Sequence, residues 1–424
     1  MKVYCKMVEF KKGKLGHITT SISRGITPSY TNNEGIYVVN QKCIRNGKIS
    51  FDEIRISKEK LLSKEKIIEK TDTLICSTGV GTLGRVGRFN DFPENKIITA
   101  DSHVTIVKAD KKIVCPFYLS YVLISKQADI EGLAKGSTGQ TELSKNELAL
   151  LEIPLPPLDV QKRIAGILGA LDDRIDVLRR ENVVLEQMAQ AVFQSWFVDF
   201  DIVRAKAAGT PESEVCEKYH ITPELYALFP SALTPDNLPL GWEKKNLGDI
   251  SQYSKEKTTN VNIETYVSTE NMLPNYDGIE KASSVPETGQ STRYKAGNVL
   301  ISNIRPYFKK IWFADREGSC SNDVLVFSSN SIGKCMLYSI LAQDAFFDFV
   351  MSGANGDKMP RGNKKHIMTY PVIFPNMDLL NKFENLVASL FDKKSKNAQQ
   401  IRALSATRDA LLPQLLSGKI KNLR

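Results

Sequence analysis

Between Asp159 and Phe200 one seam of residues recurs at alternating steps of four and three: Ile164, Leu168, Leu171, Ile175, Leu178, Asn182, Leu185, Ala189 and Val192. This spacing keeps a single stripe on one helix face and is the heptad pattern of a coiled coil. No proline interrupts it, and charged residues such as Lys162, Arg163, Asp173, Arg174, Arg179 and Arg180 flank it. Asn182 falls on the seam, where a lone amide fixes register at some cost in stability. Because one helix cannot bury its own stripe, a second helix is required.

The C-terminus supplies one. From Leu380 the positions Phe383, Val387, Leu390, Lys394, Asn397, Ile401, Leu404, Arg408, Leu411 and Leu415 repeat the same alternation, apolar at both ends and polar at the centre. Pro413 interrupts the last turns and Gly418 offers a stop, which predicts a kinked, capped exit. The 424 residues should hold two or three domains, with ample length for cores of their own.

No run of about 18 apolar residues exists, and the first residues lack the apolar block of a signal peptide, so a cytoplasmic protein is expected. Seven scattered cysteines with no C-x-x-C pair read as reduced and structural, not as a zinc site. The net charge of +9 suits a polyanionic partner.

Residues 1–155 are punctuated like a β-rich globule. Short apolar runs, Gly35 to Val39, Thr73 to Cys76, Lys96 to Ile98 and His103 to Val107, alternate with turn residues, and a helix follows Pro116. Residues 156–200 form the long helix, and 201–238 a Pro-rich connector. Residues 239–375 repeat the grammar of the first globule, and 376–424 form the second long helix. The halves align: Pro154 matches Pro371, and Gly136 and Gly139 match Gly353 and Gly356, at an offset of 217 (371 − 154). Lys70 to Ser77 lies over Lys295 to Ser302 at an offset of 225, and Ile164 overlays Phe383 in the same heptad phase. The expected fold is therefore α+β. Two similar β-rich globules are separated by two long helices, which form an antiparallel coiled coil with pseudo-two-fold internal symmetry. A helix from Ile164 to Val192 would be on the order of 40 Å long, close to one ~34 Å turn of B-DNA.

The linked pattern Pro154 to Pro157, Gln161 to Ile164, Leu171 to Asp173, Phe193 to Phe200, Val203 to Lys206, Leu238 to Trp242 and Arg408 to Ile420 resembles the DNA-specificity subunits of Type I restriction-modification systems over essentially the whole chain. The resemblance implies a non-catalytic reader whose globules are target-recognition domains, one for each half of a split, asymmetric DNA site. It also implies two methyltransferase subunits carried on the helices and motor-nuclease subunits for cleavage. S-adenosylmethionine, ATP and magnesium would be used by those partners and not by this chain. The first globule lacks a counterpart of Pro239 to Trp242, so its N-terminal boundary is open.

Base reading calls for Arg, Asn and Gln in loops, with Lys neutralising phosphate. In the first globule the candidates are Arg24, Lys42, Arg45, Asn46, Lys48, Arg85, Arg88, Lys135, Ser137, Thr138 and Gln140. In the second they are Asn303, Arg305, Tyr307, Lys309, Lys310, Lys358, Arg361, Asn363, Lys364 and Lys365. Trp196, Phe197 and Phe200 form an aromatic plug that reads either as core or as a docking site for a partner subunit. Gly79-Val-Gly-Thr-Leu-Gly84 fits G-x-G-x-x-G, but Arg85 to Phe89 continues as a strand and not a helix, which favours a glycine-rich hairpin over a dinucleotide site. Asp199, Asp201 and Lys206 have no shared strand edge for a metal, and Asp172 and Asp173 are expected to face outward. No phosphate-binding loop and no Asn-Pro-Pro-aromatic motif occurs, and the four histidines have no telling partners. Two other classes remain: a stand-alone DNA-modifying enzyme, and a coiled-coil scaffold without DNA readout.

Overall fold

The computed structural model describes residues 10–51, 53–135 and 141–418. The chain divides into two compact units, residues 1–177 with 400–424 and residues 178–399. Each unit joins one globule to a part of both long helices. Among the described residues no helix is long and apolar enough to cross a membrane, and no His, Cys, Asp and Glu cluster could hold a metal.

The central helix runs Leu158–Phe193 and the C-terminal helix Met377–Leu416, passing through Pro413, with Gly418 at φ +72° just beyond its end. Within each unit their segments pair antiparallel. In the first unit Arg408 Nη1 donates to Asp172 Oδ1 at 2.9 Å, while Leu415 and Leu416 join the core built on Val160, Ile164 and Leu168. In the second, Asn397 Nδ2 donates to Asn182 Oδ1 at 3.0 Å, Lys394 pairs with Glu186, and the rings of Phe193 and Phe383 lie 6.0 Å apart. The polar centre of the C-terminal seam thus meets polar partners on the central helix instead of forming a gap. At the second unit's end the buried positions proceed by fours through Ala189 and Phe193, and through Phe383, Val387 and Phe391. Val192 and Leu390 are left half-buried, because a straight helix drifts off a strict heptad.

Both globules repeat one plan. In the first, the main sheet is ordered Thr19–Arg24, Val104–Ala109, Thr73–Cys76, Val86–Arg88, with the hairpin Ile44–Arg45 and Gly47–Ile49 added at its edge. The second sheet is ordered Ser251–Tyr253, Val324–Ser329, Val299–Ser302, Ile311–Phe313. Asn46 and Gly47 at the hairpin tip both take positive φ, as a two-residue primed turn requires. A further small sheet in each globule has a parallel pair, Ile36–Val39 with Ile98–Ala100 and Tyr266–Val267 with Gly318–Cys320. The remaining strands attach to opposite members of that pair, since Arg55–Ser57 joins Ile36–Val39 whereas Ser291–Tyr294 joins Gly318–Cys320.

The ladders correct the sequence alignment. Strand Lys11–Lys14 pairs with Glu152–Leu155 as Glu243–Asn246 pairs with Pro371–Phe374. Glu152 therefore matches Pro371, an offset of 219, and Pro154 does not. Ile164 over Phe383 has this same offset, so helix and strand agree. Thr73 faces Arg88 as Val299 faces Phe313, which moves the upstream offset from 225 to 226. The first globule begins its ladder at Lys11, with Leu15 and Ile18 buried as Leu247 and Ile250 are. The N-terminal counterpart of Trp242 is Phe10, one residue before the strand. A proline-based alignment missed it because only the alternation is shared, not the Pro-x-Gly-Trp letters.

Candidate nucleic-acid interface

In the second unit, strand Val299–Ser302 runs into a turn that returns as Ile311–Phe313. Arg305 (φ +50°) and Lys309 (φ +51°) bracket a 3-10 turn, Pro306–Phe308. A second loop locks onto it: Arg305 N donates to Pro360 O at 2.8 Å, and Gly362 N to Asn303 O at 3.2 Å. Asn355 and Arg361 exchange backbone bonds of 2.9 and 2.8 Å. Two stretches far apart in the chain thereby make one surface, which presents Tyr307, Lys358, Met359, Arg361, Lys364 and Lys365.

The first unit is built the same way. Strand Thr73–Cys76 enters the glycine-rich turn, and Leu143 N donates to Ser77 O at 2.8 Å. Lys135 and Glu142 exchange bonds of 3.1 and 3.0 Å. Thr78 bridges Glu142 as Ile304 bridges Arg361. The G-x-G-x-x-G stretch is therefore the counterpart of the 305–309 turn. Gly79 (φ +95°) stands at the position of Arg305, and Gly84 N donates to Cys76 O at 2.9 Å before the chain continues as strand Val86–Arg88. That continuation disfavours a dinucleotide site, since the turn leads into a strand and not into a helix N-terminus that could hold pyrophosphate.

Several candidates lie elsewhere than expected. Arg88 is only 6% exposed, with Nη2 donating to Tyr121 Oη at 2.8 Å and ion-paired with Asp172 at 3.3 Å. Asp172 is 4% exposed, not outward-facing, and also accepts from Tyr121 Oη at 2.6 Å. Burial alone would raise its carboxyl. The Tyr121 hydroxyl, then the Arg408 and Arg88 guanidiniums, outweigh burial and hold it below the usual carboxylate range. Asn303 is buried, and among the described residues its Oδ1 has no partner. Lys48 is half-buried and paired with Asp176 of the central helix. Lys310 donates to Thr269 O at 2.6 Å, and its burial lowers its pKa. Trp196, Phe197 and Phe200 are core and not a docking surface: they pack with Phe229, Trp242 and Phe383 at centroid distances of 5.1–5.9 Å.

Others are occupied at the rim. Arg24 ties down the second loop, through Glu142 at 2.5 Å and Leu143 O at 2.9 Å. Lys135 pairs with Glu147, Lys309 with Asp344 and Arg361 with Asp323 at 2.6, 2.6 and 3.2 Å. The Asn363 side chain accepts from Lys365 N at 3.0 Å, capping a short helix. Lys42, Arg45 and Asn46 are exposed, while Arg85 and Arg305 are half-buried. Ser137, Thr138 and Gln140 lie outside the described residues. Sequence reasoning missed His103, whose Nδ1 lies 2.8 Å from Thr78 Oγ1, and Asp323, which takes the corresponding place beside Arg361. Each directly precedes a strand (Val104–Ala109, Val324–Ser329), and that shared position was the available signal.

Residues 7–187 match the family model for the Type I restriction modification DNA specificity domain. The HindI Type I restriction enzyme specificity subunit of Haemophilus influenzae is 24% identical over 98% of this chain and 100% of its own length. The MjaIX specificity subunit of Methanocaldococcus jannaschii is 24% identical over 88% of this chain and 84% of its length. The crystal structure of the Type I restriction-modification S subunit from M. genitalium superposes with a TM-score of 0.52 at 17% identity, covering 98% of each chain. With the heptad helices, the twice-built locked turn and these likenesses in hand, residues 7–187 carry the Type I restriction modification DNA specificity domain, and the chain is similar over essentially its whole length to the specificity subunits of Type I restriction enzymes.

Proposed function

We propose that each unit reads one half of a bipartite, asymmetric DNA site, through the surface made by its locked pair of loops. One observation supports this most: the same backbone lock, Ser77 with Leu143 and Asn303 with Gly362, carries different side chains in the two units. A constant scaffold under variable loops is what two divergent readers need. Exposed Lys358, Lys364 and Lys365 neutralise phosphates, and Arg361 reaches base edges. As a specificity subunit the chain is not itself an enzyme. Two methyltransferase subunits use S-adenosylmethionine to methylate adenine at the site it selects, and motor-nuclease subunits use ATP and magnesium to cleave. Mapping methylated adenines in the host with and without this gene tests the reading. Loss of one split, asymmetric motif is expected, and an unchanged methylome under active partner genes would overturn it.

A further inference from the structure

Two neighbouring aromatic side chains stand at the tip of the second unit's turn. Tyr307 remains 47% exposed and Phe308 38%, with their ring centroids 4.6 Å apart. The turn that raises them is held on several sides. Asn275 N donates to Phe308 O at 2.9 Å, Tyr276 N to Lys309 O at 3.1 Å, and Arg305 N to Pro360 O at 2.8 Å. Arg305 and Lys309 both adopt the left-handed backbone that side chains other than glycine rarely take. Such conformations persist only where the surroundings over-determine them, and they cluster at ligand-contacting segments. The first unit places a glycine, Gly79, where the second has Arg305, and its neighbour Val80 stands 90% exposed at that tip. Both units thus present apolar groups to solvent from the same rigid turn, in a chain of net charge +9. Exposed Lys358 and Arg361 lie on the loop locked against that turn.

We infer that the Tyr307–Phe308 pair is an aromatic wedge that inserts at one base-pair step of the half-site contacted by the second unit and unstacks it. The inference rests on the DNA reading proposed above and adds a mechanism to it. Apolar wedges enter where a step opens readily, and pyrimidine–purine steps open most easily. Part of this half-site is then read as deformability and not through hydrogen bonds, with the basic rim holding the flanking phosphates.

The test uses the full chain assembled with its methyltransferase subunits. A randomised duplex library is first enriched by binding, and the winning duplex is then rebuilt with 2-aminopurine at each position in turn. Beyond the adenines that the methyltransferase subunits flip out for methylation, wild type is expected to raise fluorescence at one further step, in one half only. Tyr307→Ala with Phe308→Ala should abolish that rise and weaken binding by roughly 5- to 100-fold, leaving the other half's preferred sequence unchanged. Tyr307→Phe keeps both rings and should keep the signal, so the proposal stays testable if the double variant folds poorly. An enriched duplex with no fluorescence change at any step other than those flipped adenines would sink the wedge alone. A rise that persists in the double variant would reassign it to other residues. No enriched sequence at all would overturn the DNA reading, and the wedge with it.

Discussion

Arg88, Tyr121, Asp172 and Arg408 make a charged, largely buried cluster in the first unit, and the duplication replaces it with rings in the second. Phe313 stands at the ladder position of Arg88, and Phe391 at the helix position of Asp172. With Tyr338 they lie at centroid distances of 4.7–5.7 Å. A buried carboxylate between two guanidiniums is costly to disturb, because removing it leaves like charges without a counter-ion. Asp172→Asn should therefore lower the first unit's stability by about 3 kcal/mol, read as a shifted urea midpoint. The sign of the pH dependence follows from the depressed carboxyl. Its stabilisation is fully present above the unfolded value of about 3.9 and is lost as pH falls through the lower folded value. The variant should lose that acid-side slope. A slope unchanged by the substitution would show that other carboxylates carry it.

At the scale of elements, the two long helices hold their register through polar pairs as well as apolar ones. Asn397 is fully buried, with Nδ2 donating to Asn182 Oδ1 at 3.0 Å and Glu181 Oε2 at 2.9 Å, while its own Oδ1 has no partner among the described residues. Such a pair costs stability and gives specificity of alignment. Replacing both Asn182 and Asn397 by Leu should raise the unfolding midpoint while populating associated species on size-exclusion chromatography with light scattering. A strictly monomeric, more stable double variant would deny the pair its register role. The loops make a separate prediction. Lys364→Ala and Lys365→Ala should each reduce the slope of log affinity against log salt by about one without altering the preferred sequence. An altered preference would move either lysine from phosphate to base.

For the molecule as a whole, inserting seven residues after Val177 and a matching seven after Gln399 leaves every helix pair inside each unit intact. The insertion adds about 10 Å of helix, roughly three base pairs of duplex. The methylated motif should keep both half-sites and gain about that much in its gap, and changed half-sites would refute the helices as spacer. Much of this molecule was legible in the letters. The four-three alternation, the duplicated globules and the glycine-rich hairpin in place of a nucleotide site all follow from local periodicity and turn chemistry, which neighbouring residues dictate. The interface was legible as segments only. Lys364 and Lys365, chosen as DNA contacts, are exposed, but Arg88 was indistinguishable from a surface arginine until Asp172 and Arg408 arrived beside it from two helices distant in sequence. Burial of a charge depends on such remote partners, as does the locking of residues 303–309 against 355–362. Sequence by itself thus determined which elements form and that they form twice. The tertiary structure alone decided which charged side chains turn inward, because desolvation is tolerated only where a counter-charge from elsewhere in the chain meets it.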